Sequence, residues 1–238
     1  WMSPDALPEW YRVSPRPMRD CAIVLLTLNE IEGLRALWDR IPVSRFRETF
    51  AVDGGSTDGT REILRSIDDA GTRIYYHDRN RGKGAAVRSG MLAATGAYRF
   101  YVDADMNIAP WHVEPALALL ASVADVVAGK RRLAEYADAE QSAARLAAGA
   151  AVQVARRILV LPVIADTQAG FKAFDGAALG PAIGQMTSFN ETFDVELLIH
   201  LAQHYGPRAL AVEPIVFTED FAAIDAAVLC IAGWTDGY

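Results

Sequence analysis

Hydrophobic and polar positions along the chain switch repeatedly between two periods. Residues 21–27 form a continuous apolar run of strand length, and residues 30–41 follow with apolar positions at helical spacing. The same pair recurs: a strand over 46–52 and a helix over 60–69, a strand over 71–77 and a helix over 84–94, a strand over 98–103 and a helix over 110–123. A further strand is predicted over 125–129. Residues 130–141 are then charged and strandless, 142–159 are a helical Ala/Arg stretch, 166–174 return toward the sheet, 192–204 are helical and 209–217 close the pattern as a strand. Such alternation predicts an α/β fold with a mixed, mostly parallel sheet, helices on both faces and ligands beyond the carboxyl ends of the strands. No internal repeat or low-complexity linker divides it, so one domain over 21–217 is expected, with an extension over 1–20 and a tail over 218–238.

Composition adds limits to this picture. The 238 residues are 52% hydrophobic and 22% charged, an ordinary globular balance. A formal charge of −7 argues against non-specific nucleic-acid binding, which draws on a basic face. Cys21 and Cys230 stand far apart, without metal or redox spacing, which points to a reducing compartment. No apolar run reaches the ~18 residues of a spanning helix, and residues 1–20 do not resemble a signal peptide, so a cytoplasmic protein is expected. The apolar stretch Phe221 to Trp234 reads as a docked helix or as one lying at the inner face of a membrane.

Polar chemistry gathers where predicted strands end. Asp103 and Asp105 alternate along an extended backbone and project from one face, where two carboxylates can converge on a hard divalent cation. Oxygen ligands at this spacing suit Mg²⁺ or Mn²⁺, which keep coordination positions for water and phosphate. An isolated Asp-x-Asp is an ordinary solvated loop, but here a Gly-rich turn, Asn80-Arg81-Gly82-Lys83-Gly84, opens a helix nearby, where backbone N–H groups can meet phosphate. Asp53 ends the second strand, and Asp58 is placed to cap the helix after it. Glu30 either reaches a nucleotide or sits in a first helical turn that favours an anion. Glu196, His200 and His204 share a helix face, read as solvated.

Taken in order, Asn29-Glu30, the run from Val52 to Thr60, Arg81 to Gly84, Asp103-Ala-Asp105, Asp166 to Lys172 and Phe193 to Leu198 resemble the family 2 glycosyltransferases. The last two are similar to the branch of dolichyl-phosphate glucosyltransferase and polyprenyl-phosphate mannose synthase. The resemblance implies the GT-A (nucleotide-diphospho-sugar transferase) fold. It also implies a nucleoside-diphosphate hexose donor, UDP- or GDP-linked, a Mg²⁺ or Mn²⁺ cofactor, and transfer of glucose or mannose with inversion to a polyprenyl phosphate. A soluble hydroxyl acceptor, and a non-catalytic or nucleotidyl-transferring relative, remain alternatives. Donor contacts are implied at Thr27, Asn29, Glu30, Asp53, Lys83, Asp103, Ala104, Asp105 and Gln168. Asp105 and Asn107 are implied as direct metal ligands, and Asp103 either ligates or holds the ribose and a metal water. Arg131, with Arg145 as a weaker match, is implied at a phosphoryl group, which suits a forked guanidinium. Asp166, Gln168 and Lys172 either border the sugar or support the site. A hydroxyl acceptor would need a carboxylate as base, for which Asp194 and Glu191 stand ready. The sequence departs from the family pattern at Leu26, Leu28 and Gly54, all near the expected base pocket.

Overall fold

The structure is a computed structural model that describes residues 18–37, 45–67, 71–104, 113–121, 124–130, 167, 169–190, 192–205 and 210–214. The expected tail over 218–238 and most of the extension over 1–20 lie outside these residues.

Seven strands form one sheet: β1 (Cys21–Thr27), β2 (Glu48–Asp53), β3 (Thr72–Tyr76), β4 (Tyr98–Asp103), β5 (Val126–Lys130), β6 (Phe171–Asp175) and β7 (Leu210–Pro214), in the spatial order β3-β2-β1-β4-β6-β5-β7. β1 pairs in parallel with β2 and β4, β2 with β3, and β5 with β7, whereas β6 is antiparallel to both β4 and β5. Of the seven, β6 alone is reversed, a direction that the apolar pattern of 166–174 does not carry.

Six α-helices connect these strands among the described residues: α1 (Ile31–Leu37), α2 (Thr60–Ile67), α3 (Lys83–Ala93), α4 (Val113–Leu120), α5 (Gly176–Gln185) and α6 (Phe193–Tyr205). The continuous apolar run of β1 is explained by burial on both faces. Ile23 and Leu25 pack with Leu34 of α1, Leu64 of α2 and Leu117 of α4. Val24 and Leu26 point the other way, into a second core with Val87 and Met91 of α3, Leu179 of α5 and Leu197 of α6. The sheet is thus the middle of three layers, and its parallel strands deliver their ends to one edge. There Thr27 lies beside Asp53, and Leu26 beside Asp103.

Helix α5 has no counterpart in the sequence expectations. It begins on an N-cap, Asp175, whose carboxylate accepts hydrogen bonds from the amides of Ala177 and Ala178. Pro181 inside it, with Gly180 and Gly184, hides the helical period.

Candidate functional site

The loop after β1 and the turn after β2 are laced together. Asn29 has a positive φ of 56°, a conformation Asn tolerates, and its amide donates to Ser56 Oγ at 2.9 Å while its Oδ1 accepts from Thr57 N at 2.9 Å. Glu30 N donates to Thr60 Oγ1 at 2.9 Å. Asp58, expected to cap α2, lies one residue before the cap position taken by Gly59, and accepts from Thr60 N at 3.0 Å and from Thr60 Oγ1 at 2.6 Å.

Asp53 is fully buried, and its carboxylate is committed. It accepts from the amides of Gly55 at 3.2 Å and Ser56 at 3.1 Å, and pairs with Arg61 Nε at 2.7 Å. Arg61 also donates to the carbonyl of His77, so the carboxylate braces β2 against the strand beside it. The expected base or ribose contact at Asp53 therefore meets an acceptor already occupied by the turn it shapes. Thr27 is likewise buried, its hydroxyl donating to Val52 O at 3.3 Å. Ala104 is buried too, with its amide held by Leu26 O at 3.0 Å.

At the end of β4, Asp103 meets the start of α3. Lys83 Nζ lies 2.6 Å from Asp103 Oδ2, and both side chains are partly exposed. The structure thus joins two residues expected to serve metal and diphosphate. Gly82 supplies the approach with φ of 89°, and the turn is backed by Phe189, whose carbonyl takes the Gly84 amide at 3.1 Å. The Gly82 amide goes to Asn80 Oδ1 at 2.8 Å. Two amides expected to face phosphate therefore already have partners within the protein.

Under Asp103 lies a buried polar group. Tyr101, on the same face of β4, donates its hydroxyl to Asp194 Oδ1, and Lys172 of β6, directly across from Tyr101, places Nζ 3.0 Å from the same oxygen. Asp194 is 3% exposed and Lys172 is fully buried. Burial, then the negative charge of Asp194, pushes the Tyr101 phenol well above its ordinary value, so it stays a donor. The Asp194 carboxylate, expected as a base for a hydroxyl acceptor, is sealed from solvent and held by an ammonium. Breaking such a buried pair from one side costs about 3–5 kcal/mol. The sequence shows Asp194 only as a first-turn acid on α6. The strand register that sets Lys172 beside it is a tertiary fact.

Glu196 also differs from the solvated face expected of it. It accepts from Thr187 N at 2.9 Å, Thr187 Oγ1 at 2.6 Å and Ser188 N at 2.6 Å, anchoring the segment that backs Gly82. His200 lies 3.6 Å from it. Asp105, Asn107, Arg131, Arg145, Asp166, Gln168 and Glu191 lie outside the described residues. Among the described residues no three His, Cys, Asp or Glu side chains come together as a metal group. Asp103 suits a hard cation in chemistry and position, since the oxygen it presents at the strand end already holds one, the Lys83 ammonium.

The chain has known relatives. The dolichyl-phosphate beta-glucosyltransferase of Saccharomyces cerevisiae is 30% identical over 173 residues, covering 64% of this chain and 52% of that protein. The chain therefore spans about half the length of that relative. Glucosyl-3-phosphoglycerate synthase from Mycobacterium tuberculosis, solved with Mn²⁺, UDP and glucosyl-3-phosphoglycerate, superposes with a TM-score of 0.61 at 21% identity, covering 92% of this chain and 79% of that one. The mannosyltransferase from Pyrobaculum calidifontis, solved with GDP-Man and Mn²⁺, gives a TM-score of 0.55 at 19% identity over 86% of this chain and 61% of that one. The fold is the GT-A glycosyltransferase fold, as the motif series implied. The glycosyl transferase family 2 model matches residues 22–176, and the chain belongs to that family.

Proposed function

We propose that the chain is an inverting hexosyltransferase that moves glucose or mannose from a nucleoside-diphosphate sugar to a polyprenyl phosphate. The observation that carries this is the Lys83–Asp103 pair at the carboxyl edge of the sheet, 2.6 Å apart at the mouth of a Gly-rich turn. There a cation-binding carboxylate and a phosphate-seeking ammonium meet. In the reaction the bond from the sugar C1 to the diphosphate oxygen breaks as the acceptor oxygen bonds to C1 from the opposite face. The nucleoside diphosphate leaves with the electron pair. A divalent cation held by Asp103, Asp105 and Asn107 would supply charge stabilisation to the departing diphosphate. Lys83 adds a second positive charge on the same side. Asp53 and Asn29 serve by holding the turn against which the nucleotide rests.

Two considerations favour a phosphate acceptor. An acceptor phosphate is already anionic and needs no base, which agrees with a sealed Asp194. Arg131 follows directly on β5 and would pair with the phosphoryl group. The second reading, a soluble acceptor, draws on the synthase solved with glucosyl-3-phosphoglycerate. Among the described residues no helix is long and apolar enough to cross a membrane, so contact with a lipid acceptor would be peripheral for this part of the chain.

The test is a panel of UDP- and GDP-linked hexoses assayed for nucleoside diphosphate release, with and without polyprenyl phosphate, in Mn²⁺, Mg²⁺ or chelator. Release stimulated by the lipid phosphate and abolished by chelator and by Asp105→Ala is expected. Full turnover in chelator, or stimulation by soluble hydroxyl acceptors alone, overturns the reading.

A further inference from the structure

A fully buried lysine is costly unless its charge is used. Lys172 sits on the face of β6 shared with Phe174, among apolar side chains of α5 and α6 where an aliphatic residue would pack as well. Its ammonium lies 3.0 Å from Asp194, sits over the Tyr101 ring at 5.2 Å from its centroid, and donates to the carbonyl of Ala169 at 2.8 Å. The bond to Ala169 does what an apolar side chain cannot, because it fixes the backbone just before Gly170. Gly170 in turn holds Asp103: its carbonyl accepts from the Asp103 amide at 3.0 Å, and its backbone is so close that a Cβ there would stand 2.2 Å from Asp103 Oδ2.

We propose that Lys172, Asp194 and Tyr101 form a buried positioning unit that sets the Ala169–Gly170 backbone, and through it the Asp103 carboxylate. The unit is fixed from α6, whose first turn carries Asp194. The same helix start also reaches the other half of the Lys83–Asp103 pair. Phe193 packs so tightly on Gly84 that a Cβ there would stand 2.6 Å from the Phe193 Cβ, and Phe189 O takes the Gly84 amide. One helical turn thus sets both the residue that presents the carboxylate and the turn that presents the lysine. The proposal builds on the assignment of Asp103 to the donor site, but its geometry does not depend on that assignment.

The experiment therefore reads the backbone directly. Amide hydrogen exchange is measured on the full chain for wild type, Lys172→Met and Asp194→Asn, comparing the Asp103 amide with the Ala51 amide in the middle of β2. Because Lys172→Met leaves a carboxylate buried without its ammonium and can unfold the chain, Asp194→Asn, equal in size and uncharged, runs beside it, with Lys172→Met/Asp194→Leu as the variant that removes both charges. In whichever of these retains a cooperative melt, the Asp103 amide is expected to exchange about tenfold faster or more while the Ala51 amide keeps its wild-type rate. Equal protection of the Asp103 amide in a folded variant overturns the proposal, as does a uniform loss at both amides, which marks a merely structural pair. A Mn²⁺ titration with nucleoside diphosphate on the same samples tests the donor-site assignment separately. Wild-type chain that binds neither would defeat that assignment and leave the exchange result to be judged alone.

Discussion

Lys83 and Asp103 are each other's counter-ions, with Nζ 2.6 Å from Oδ2 across the mouth of the turn that opens α3. A cation at Asp103 and a diphosphate at Lys83 would each replace the partner that the other residue now supplies. Binding of the two is thereby tied, since neither charge is left uncompensated when both ligands arrive together.

Lys83→Met should therefore act with opposite signs. Nucleoside diphosphate affinity falls by about 1.5–3 kcal/mol, the range for a hydrogen bond to a charged group. Mn²⁺ affinity without nucleotide rises, because Asp103 loses a competing cation. Calorimetry with each ligand alone checks both, and an unchanged nucleotide affinity would remove Lys83 from the phosphate side.

Gly170→Ala should separate function from stability. The new methyl group would stand 2.2 Å from Asp103 Oδ2 and must push the carboxylate aside. Metal-dependent turnover should fall by about tenfold or more, as misplacement of a reacting group by ~1 Å can cost 10²-fold. Gly184→Ala is the control: outside its own helix turn and chain neighbours nothing lies within 4 Å of a Cβ there in α5, so the chain should gain about 0.5–1 kcal/mol in a thermal melt at unchanged activity.

Glu48 clamps the far end of the sheet, accepting from Thr95 N at 2.7 Å, Thr95 Oγ1 at 3.0 Å and Gly96 N at 3.0 Å. Burial pushes its carboxyl up, but the hydrogen bonds from Thr95 and Gly96 and the charge of Arg73 outweigh it and leave the value below the ordinary one. Its contribution is thus present above the unfolded carboxylate pKa of about 4.3 and lost as pH falls through the folded value. Glu48→Ala should cost about 1–3 kcal/mol in denaturant titrations at pH 7 with nucleotide affinity intact.

His77 gives a second pH signature. Its Nε2 lies 3.0 Å from Ser89 Oγ, and its Nδ1 is buried without a hydrogen-bond partner among the described residues. Burial, then the Arg81 charge, pushes the imidazole below 6.5, against the smaller pull of Asp53 and Asp78. A folded value below the unfolded one means that stability is full above pH 6.5 and is lost as pH falls through the folded value. His77→Gln should flatten the dependence of Tm on pH below 6.5. A wild-type slope in the variant would assign it to other groups.

What the sequence made legible was what local pattern controls. β1 and β4 were visible as apolar runs, and Asp103 was visible as the polar residue that ends one of them. Asp58 was visible as a residue that favours the turn before a helix wherever it occurs. Helix α5 was missed because Pro181 and its glycines suppress the period while tertiary packing restores the helix. The setting of Asp194 was hidden because Lys172 arrives from a strand whose direction no periodicity encodes. The setting of Asp53 was hidden for the same reason, since Arg61 and the His77 carbonyl become its surroundings only once β3 pairs with β2.

The reversal of β6 has a consequence for how such a chain can diversify. Val126 pairs with Phe174 and Ala128 with Lys172, so the end of β5 and the start of β6 lie at the same edge, the one where Asp103 stands. Lys130 and Phe171, the strand ends that bound the intervening segment, are therefore anchored at neighbouring points of the sheet. Exchanging or lengthening such a segment moves neither anchor, and each doubling of a loop's length adds only about 0.6 kcal/mol of closure entropy. The segment can in this way change while the sheet stays untouched, provided that the incoming piece still ends by laying a glycine against Asp103.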